Sequence, residues 1–536
     1  MALTANQPPP LQDYDLAGSD PLLVPVLESA ATDTTELRSF GLRLTQPEVL
    51  HWGDQANRHP PELFTHDRFG NRLDRVEFHP SWHQLLGQAV AQGMHSLPWE
   101  PASGPDGHRR RTALTFLASQ IEAGHFCPIS MTFASIPALR RQPDLAKEWE
   151  PLILTRAYDP RFRPAPDKHG VLIGMGMTER QGGSDVRVNL TRAEPTADGY
   201  VVNGHKWFTS APMNDAFLIL AQAPEGLSCF LLPRFRPDGT VNGFHLQRLK
   251  DKLGNRSNAS AEVEFIDAYA RLVGEEGRGV PTIIEMVNGT RLDCVTGSAA
   301  LMRQAVSQAI HHCEYRHAFG APLIKQPAMA NVLADLEVEV EAAVALMVRL
   351  AIAFDGARDN DYEESLLRIG LPLAKYWVTK RCSQVVGEAL ECVGGNGFVE
   401  ESVMPRLFRE SPLNAIWEGS GNVIALDVLR ALSRHPEALS VLAEEIRLGA
   451  EEPALAAFAD KALGAAGSLS APEAEARYLT ERLALAWQGS LLARWAAPEV
   501  AGAFLRSRIT PGGRLFGTLP ASTNFDRIIT PAVPHV

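Results

Sequence analysis

Hydrophobic residues in the second half of the chain recur at helical spacing over long distances. In the clearest stretch, apolar residues lie one to four positions apart, at Val332, Leu333, Leu336, Val340, Val344 and Met347. This spacing places a continuous apolar stripe along one face of a helix. Comparable patterns predict long helices near residues 281–313, 326–356, 364–393 and 421–433. Gly394 and Gly395 end the third of these helices, and the four together predict a helical bundle.

Between residues 170 and 268 the apolar residues form short runs instead. The runs are rich in Val, Ile, Phe and Leu, and an Asp-Gly pair at 198–199 and an Asn-Gly pair at 203–204 flank one of them. Asn, Asp and Gly accept the left-handed backbone conformation that tight hairpin turns need. Further runs predict strands at residues 216–222, 227–233 and 261–266.

Helical periodicity returns on both sides of these regions and sets the expected division of the chain. The opening residues MALTANQPPP predict a flexible arm and lack the features of a secretory signal. An alanine-rich helical stretch follows Arg434 until Pro511 interrupts the pattern. We therefore expect an α+β fold with an N-terminal arm (1–34), an N-terminal α-helical domain (35–169), a middle antiparallel β-domain (170–275), an α-helical bundle (276–433) and a C-terminal helical extension (434–536).

Composition narrows the class of protein. Hydrophobic residues make up 45% of the chain and charged residues 21%, as in ordinary globular proteins. A net charge of -12 argues against attraction of the whole chain to nucleic acid or to an anionic membrane. Six scattered cysteines without a CxxC pair are typical of a reducing compartment, so we expect a cytoplasmic protein. The most apolar helical stretch, 342–354, is too short to cross a bilayer, so no membrane contact is predicted.

A cluster of three histidines and a cysteine is the strongest candidate for a metal site. Its members are His311, His312, Cys313 and His317. They fall on different faces of the predicted helix and lack a paired cysteine or carboxylate at zinc spacing. No metal site is therefore predicted.

Two segments of the predicted β-domain carry the strongest chemical signal, MGMTERQGGSDV at 175–186 and NGHKWFTSA at 203–211. The first combines main-chain amides, a threonine hydroxyl and a Gly-Gly-Ser turn, which can approach an anionic group closely. A Rossmann site is excluded because Glu179 stands where the third glycine belongs and no crossover helix follows. Two hairpin loops with ordinary turn glycines are the alternative interpretation.

The two segments resemble the flavin-binding segments LTEP-x-AGSD and G-x-K-x-W-I-T of the acyl-CoA dehydrogenase family. The similarity continues in order along the chain, through NGTR (288–291), YRHAFGAPL (315–323) with Gln326, GGNGF (394–398) and IWEGSGN (416–422). Residues 57–83, residues 124–139 and the additional helical tail are similar to the AidB-type (alkylation-response) branch of this family. The resemblance implies an acyl-CoA dehydrogenase-like fold and a non-covalently bound FAD.

Site residues follow from this resemblance position by position. It implies that Met177 and Thr178 contact the flavin pyrimidine edge, that Ser184 holds the pyrophosphate, that Trp207 packs on the isoalloxazine and that Thr209 donates its hydroxyl toward N5. Arg316 and the turn at Gly394 and Gly395 would reach the FAD of a neighbouring subunit, which implies a homo-oligomer, as a tetramer. The other implied cofactor positions are Met175, Gly183, Phe208, Phe319, Gln326 and Asn422.

Several of these residues also have an ordinary structural interpretation. Trp207 and Thr209 share a strand face and could be packing positions, and Arg316 could be a solvated charge. The chain also departs from the family pattern, because Arg180 stands where many relatives have proline and Phe208 where they have isoleucine. These two departures affect the expected geometry of the segments that would hold the flavin.

Glu418 is the candidate catalytic base. The resemblance implies a reaction in which a base removes the α-proton of an acyl thioester while the β-hydrogen leaves as hydride to the flavin. Burial beside Ile416 and Trp417 would disfavour the charged carboxylate and raise its pKa toward that of a working base. The alternative is a residue placed at the start of a helix, where acidic side chains are favourable.

The AidB-type branch implies two further properties, double-stranded DNA binding and a role in the response to alkylation damage, with weak or residual acyl-CoA dehydrogenation. From Arg494 onward the chain contains five arginines and only two acidic residues. The candidate DNA contacts are Arg430, Arg506, Arg508 and Arg514. A solvent-facing or tetramer-facing tail is the alternative for this region. The alternative function is a metabolic short or branched-chain acyl-CoA dehydrogenase that uses an electron-transfer flavoprotein.

Overall fold

The structure is a computed structural model that describes residues 6–467, 473–510, 513 and 515–534. Contacts divide the chain into two compact units, one of Met1–Leu50, Pro105–Ile121 and Arg291–Val536, the other of His51–Gly104 and Glu122–Thr290. The helices are α1 Leu23–Ser29, α2 Thr35–Leu44, α3 Pro47–Arg58, α4 Pro80–Ala91, α5 Gly107–Ser119, α6 Phe126–Leu139, α7 Pro143–Ile153, α8 Gly279–Tyr315, α9 Pro327–Gly356, α10 Asp361–Val393, α11 Gly395–Phe398, α12 Met404–Glu410, α13 Gly421–Arg434, α14 Pro436–Arg447, α15 Pro453–Gly467, α16 Ala476–Trp495, α17 Pro498–Phe504 and α18 Phe525–Ile529. The strands are β1 Glu62–His66, β2 Arg72–Glu77, β3 Ile173–Gly176, β4 Arg192–Thr196, β5 Gly199–Ser210, β6 Ala216–Ala223, β7 Gly226–Pro233, β8 Phe244–Leu249, β9 Ser260–Val273, β10 His317–Ala318 and β11 Ala321–Pro322.

A seven-stranded sheet forms the centre of the second unit. Its strand order is β3-β6-β4-β5-β9-β7, with β8 beside β9, and β7 also pairs with β6. The pairs are antiparallel except that β3 and β4 run parallel to β6. The predicted strands at 216–222 and 227–233 are confirmed as β6 and β7, and the run at 261–266 is the first half of β9. The first six residues of β6 are fully buried, so this strand lies in the core of the sheet.

A hairpin in the N-terminal part of the chain was not predicted. Strands β1 and β2 pair antiparallel, and alternate residues of both are exposed. Asp67 closes the turn by accepting hydrogen bonds from the N–H groups of Phe69 and Asn71. Only one side of this hairpin is partly buried, and its apolar residues are therefore too few to stand out in the sequence.

The four predicted long helices are confirmed as α8, α9, α10 and α13. The stripe on α9 is deeply buried, and Leu333, Leu336, Val340, Val344 and Met347 have no exposed surface. Most other positions of α9 are buried as well, because helices α5, α10, α16 and α18 all pack against it. This helix is therefore the centre of the first unit.

Buried charged residues on α9 pair with oppositely charged residues on other helices. Arg303 of α8 donates to both carboxylate oxygens of Glu337 at 2.8 and 2.5 Å, and to Asp20 at 3.1 Å. Arg349 of α9 binds Glu363 of α10 in the same two-pronged manner. In each pair a buried charge is compensated by an opposite charge, and removing one member would leave the other buried and uncompensated.

From Asn6 onward the N-terminal arm packs against the first unit, whereas the sequence predicted a flexible segment for residues 1–10, of which residues 1–5 lie outside the described part of the chain. Tyr14 and Asp20 are both 2% exposed, and Asp20 belongs to the Arg303 cluster. Before them, the Pro9 carbonyl accepts a hydrogen bond from His311 at 2.8 Å. The arm therefore contributes to the core of the first unit. The sequence suggested otherwise because its proline-rich start lacks any periodic pattern.

The C-terminal extension is helical, as predicted, with α14, α15, α16 and α17 between Pro436 and Phe504. The predicted break at Pro511 lies outside the described residues. Throughout the described part of the chain, no helix has both the length and the hydropathy that a membrane crossing requires.

Candidate active site

The loop that follows β3 is anchored by a buried carboxylate. Glu179 is 1% exposed and accepts hydrogen bonds from the N–H groups of Leu190 and Thr191. It also binds the ammonium of Lys206 on β5 at 2.7 Å, and that ammonium donates to the Leu220 carbonyl as well. Glu179 stands where a Rossmann loop would carry glycine, and here it anchors a loop of a different kind.

The two charges of this pair shift each other's pKa. Burial lowers the pKa of Lys206 to about 8, although the Glu179 carboxylate opposes the shift. Burial would raise the pKa of Glu179, but the Lys206 charge and the hydrogen bonds outweigh it and lower that pKa to about 2. Both groups are therefore charged at neutral pH, and the loop is fixed to the sheet.

The anchored loop brings most of the predicted flavin residues together. The Thr178 carbonyl accepts a hydrogen bond from the Trp207 N–H at 2.8 Å, which joins the loop to β5. A Cβ at Gly183 would lie only 2.8 Å from the Thr178 hydroxyl oxygen, so the turn requires glycine. Ser184 follows this turn. It is exposed in the free chain, so its side chain can reach a ligand.

Thr209 presents a buried hydroxyl without a protein partner. The residue is 1% exposed, and its oxygen makes no hydrogen bond within the described part of the chain. Gly176 of β3 faces it, because a Cβ built there would lie 3.3 Å from the Thr209 hydroxyl oxygen. Since buried hydroxyls are nearly always hydrogen-bonded, this one indicates a partner that the protein does not supply.

Trp207 and Phe208 lie on the same segment of β5, where the pairing with β9 changes register. Phe208 is 50% exposed, and the Trp207 ring has the Lys250 ammonium 3.4 Å from its centroid. The guanidinium of Arg180 lies 5.3 Å from the same centroid. The arginine that replaces the family's proline therefore contacts the tryptophan, a role that the sequence did not reveal for either cation.

These observations fit the binding of a flavin. The orphaned Thr209 hydroxyl, the glycine cradle beside Thr178 and the exposed Ser184 form a donor set suited to a heterocycle and an anionic tail. Met177 is half-buried, and its carbonyl accepts a hydrogen bond from Asn189. Met175 lies on β3 itself and is half-buried.

The other predicted cofactor residues belong to the first unit. Phe319, Gly394 and Gly395 lie on exposed turns, whereas Arg316 and Gln326 are half-buried. Phe319 is 97% exposed at a φ of 53°, at the tip of the short hairpin β10–β11. Gln326 donates to the Ala318 carbonyl, and Arg316 donates to the Asn6 carbonyl at 2.6 Å. These bonds fix the hairpin and leave its aromatic tip to solvent.

The glycine turn after α10 is equally open. Gly394 has a φ of 65°, which favours glycine, and a Cβ on Gly394 or Gly395 would meet no described atom within 4 Å. Asn422, in the first turn of α13, is exposed. All three positions are accessible in the single chain.

Glu418 lies in a strained loop before α13. Its φ is +57°, a conformation that costs a residue with a side chain about 1–2 kcal/mol. The Glu418 carbonyl accepts a hydrogen bond from Arg291 at 3.2 Å, and the carbonyls of Trp417 and Gly419 both accept from the ammonium of Lys375. Arg291 also binds Asp427 of α13 at 2.8 Å. The sequence had suggested neither role.

Glu418 is half-buried, and its Oε2 atom has almost no exposed surface. Of the two neighbours expected to cover it, Ile416 is 64% exposed in the single chain. Trp417 is half-buried, and its indole N–H donates to the Asn414 side chain at 2.8 Å.

The candidate DNA-binding arginines differ in their environments. Arg508 forms ion pairs with the carboxylates of Asp335 and Glu339, and its side chain is only 13% exposed. It is therefore not available as a DNA contact in this structure. Arg430 and Arg506 are exposed. Arg514 lies outside the described residues. The described residues contain no group of three His, Cys, Asp or Glu side chains arranged to hold a metal ion.

Three regions of the chain match known protein domains. Residues 6–160 match the N-terminal domain of the adaptive response protein AidB. Residues 174–268 match the middle domain of acyl-CoA dehydrogenases, and residues 277–433 match their C-terminal domain.

Individual relatives agree with these domain matches. The AidB protein of Escherichia coli (strain K12) is 45% identical over 516 residues, which cover 95% of this chain and 94% of that protein. The crystal structure of Caenorhabditis elegans ACDH-11 in complex with C11-CoA has a TM-score of 0.83 at 25% identity, covering 99% of this chain and 93% of that one. An acyl-CoA dehydrogenase complexed with FAD from Bacillus anthracis shares the fold, with a TM-score of 0.67 at 17% identity and coverage of 94% and 87%.

Proposed function

Since this chain belongs to the AidB-type branch of the acyl-CoA dehydrogenase family, an FAD-dependent family of oxidoreductases acting on CH–CH groups, we propose that it oxidises acyl thioesters slowly and binds double-stranded DNA in the response to alkylation damage. The observation that carries the flavin assignment is the buried Thr209 hydroxyl without a protein partner. The alternative is a metabolic short or branched-chain acyl-CoA dehydrogenase coupled to an electron-transfer flavoprotein. Both functions require FAD.

The second unit supplies the groups that would hold FAD. Thr209 would donate to the ring, Trp207 would pack on it, and Thr178 and Met177 would hydrogen-bond its pyrimidine edge. Ser184 and the Gly183 turn would receive the pyrophosphate. Bound FAD supplies a two-electron hydride acceptor. Because Glu179 and Lys206 fix this loop before any ligand arrives, little ordering is needed on binding.

Glu418 would act as the base of the reaction. Its carboxylate takes the proton from the α-carbon of the acyl thioester, and the β-hydrogen leaves with its electron pair. A double bond forms between the two carbons, so atoms and electrons balance. The loop around Glu418 is held by Lys375 and Arg291 through its carbonyls.

Exposed residues of the first unit support oligomer formation and DNA binding. The exposed Phe319 tip and the open Gly394 turn offer a surface suited to the cofactor of a second subunit, as expected for a homotetramer. Arg430 and Arg506 remain exposed and able to meet phosphates. The similarity to AidB supports a role in alkylation stress.

The test combines flavin reduction with DNA retention. Purified protein is mixed anaerobically with straight and branched acyl-CoAs, including a C11 chain because ACDH-11 was crystallised with C11-CoA. We expect slow bleaching of the flavin, absent in Glu418→Gln. Salt-dependent retention of duplex DNA should weaken in the Arg430→Ala, Arg506→Ala double variant but not in Arg68→Ala, which removes an exposed arginine elsewhere. Fast bleaching without DNA retention would favour the metabolic alternative.

A further inference from the structure

Three consecutive carbonyls before α13 each face a buried cation. The Trp417 carbonyl accepts from Lys375 at 2.9 Å, the Glu418 carbonyl from Arg291 at 3.2 Å, and the Gly419 carbonyl again from Lys375. Glu418 and Gly419 both have positive φ, at 57° and 102°. A chain in this conformation cannot satisfy its carbonyls by continuing a helix, so side chains have to do so.

Lys375 binds two residues of this loop. It lies in the middle of α10 and is 1% exposed, and its ammonium bonds the carbonyls on either side of Glu418. The Trp417 carbonyl lies in the peptide before Glu418, and the Gly419 carbonyl lies in the peptide after Gly419. The two bonds therefore hold both ends of the segment with positive φ, while Arg291 binds the carbonyl of the peptide between them, and together they fix the direction of the Glu418 Cα–Cβ bond. Arg291 also binds Asp427, whereas the described hydrogen bonds of the Lys375 side chain go to this loop.

The charge of Lys375 also acts on Glu418. Burial lowers the pKa of Lys375, and the neighbouring Glu418 carboxylate is among the groups that oppose this shift. The other groups acting on the ammonium are Cys294 and Arg291 on α8 and Lys380 on α10. The two side chains therefore lie close enough for their charges to interact.

We propose that Lys375 is a positioning residue for the catalytic base. It holds residues 417–419 so that the Glu418 carboxylate is aimed at the α-carbon. This inference rests on the proposed function of Glu418 as the base. Lys375 touches neither substrate nor cofactor in this account and acts only through the loop.

The test compares two substitutions of Lys375 with a matched control on the same helix. Lys375→Met removes the donors and the charge at similar length, and Lys375→Arg keeps both. Arg368→Met is the control, because Arg368 lies on the same helix, is exposed, and has its described side-chain hydrogen bonds with Glu364 and His435. Each protein is measured for FAD content, melting temperature and anaerobic flavin reduction over a range of pH and acyl-CoA concentration.

We expect Lys375→Met to lower the limiting rate of flavin reduction by about 100-fold while the half-saturating acyl-CoA concentration changes by less than about threefold. Its pH profile should also differ from that of the wild type, because the ammonium that interacts with Glu418 is removed. Lys375→Arg should retain more activity, and Arg368→Met should match the wild type. A purely structural role would lower the melting temperature and leave the rate per bound flavin and the pH profile unchanged.

A crystal structure of Lys375→Met provides a readout that is independent of activity. We expect Glu418 to leave the left-handed region in that variant. Residues 417–419 unchanged in the crystal, or a wild-type rate and pH profile in solution, would overturn the inference. If no acyl-CoA reduces the wild-type flavin, the proposed function fails instead, and the crystal structure still decides whether Lys375 holds the loop.

Discussion

Replacing Thr209 with valine should affect the flavin-free protein and the flavin complex in opposite directions. The Thr209 hydroxyl is buried and lacks a protein partner, and an unsatisfied group of this kind costs about 1–3 kcal/mol. Valine has nearly the same shape without the hydroxyl, so the flavin-free variant should be more stable than the wild type. The complex loses a hydrogen bond worth about 0.5–1.5 kcal/mol. Both effects weaken FAD binding, which should fall by at least about tenfold.

Urea unfolding of the flavin-free proteins and fluorescence titration with FAD measure the two effects separately. Thr209→Ser serves as the control, because it keeps the hydroxyl and should bind FAD much more tightly than the valine variant. A flavin-free Thr209→Val protein that is less stable than the wild type, or one that binds FAD equally well, would refute the reasoning. Either result would mean that the hydroxyl has a partner in the protein or does not meet the flavin.

Three further predictions concern the anchored loop. Lys206→Met should destabilise the protein by about 3–5 kcal/mol in urea unfolding, because it leaves Glu179 buried and uncompensated. The folded-state pKa of Glu179, about 2, lies below its ordinary value of 4.5, so the stabilisation from its ionised form is present above pH 4.5 and is lost as the pH falls toward 2. Acid unfolding of Glu179→Gln should therefore lack this pH-dependent loss of stability. An acid unfolding profile identical to that of the wild type would contradict this prediction. Gly183→Ala should lower the FAD content of the purified protein, because its Cβ would clash with Thr178, whereas Gly464→Ala, where a Cβ meets open space, should not.

Much of the fold was predictable because it depends on periodic patterns. The stripe on α9 and the runs of β6 and β7 bury apolar residues at regular spacing, and the structure contains each of these elements. The β1–β2 hairpin and the packed N-terminal arm were not predicted. Their stability comes from a few specific contacts, such as Asp20 with Arg303, which join residues 283 positions apart and leave no local pattern.

The flavin loop was recognised from its motifs, but its anchoring was not. From the sequence, Glu179 is only the residue that excludes a Rossmann site, whereas the structure pairs it with Lys206 on β5. The clamp of Lys375 on the loop of Glu418 joins residues more than 40 positions apart in the chain. Such contacts depend on how helices and strands are brought together, and a single sequence contains no spacing rule that identifies them.

The most direct test of the account is the anaerobic reduction of bound FAD by acyl-CoAs deuterated separately at the α-carbon and at the β-carbon. If Glu418 removes the α-proton while the β-hydrogen leaves as hydride, deuterium at either carbon should slow the reduction, and Glu418→Gln should abolish it. Protein that contains no FAD, flavin that no acyl-CoA reduces, or reduction at an undiminished rate in Glu418→Gln would contradict the account.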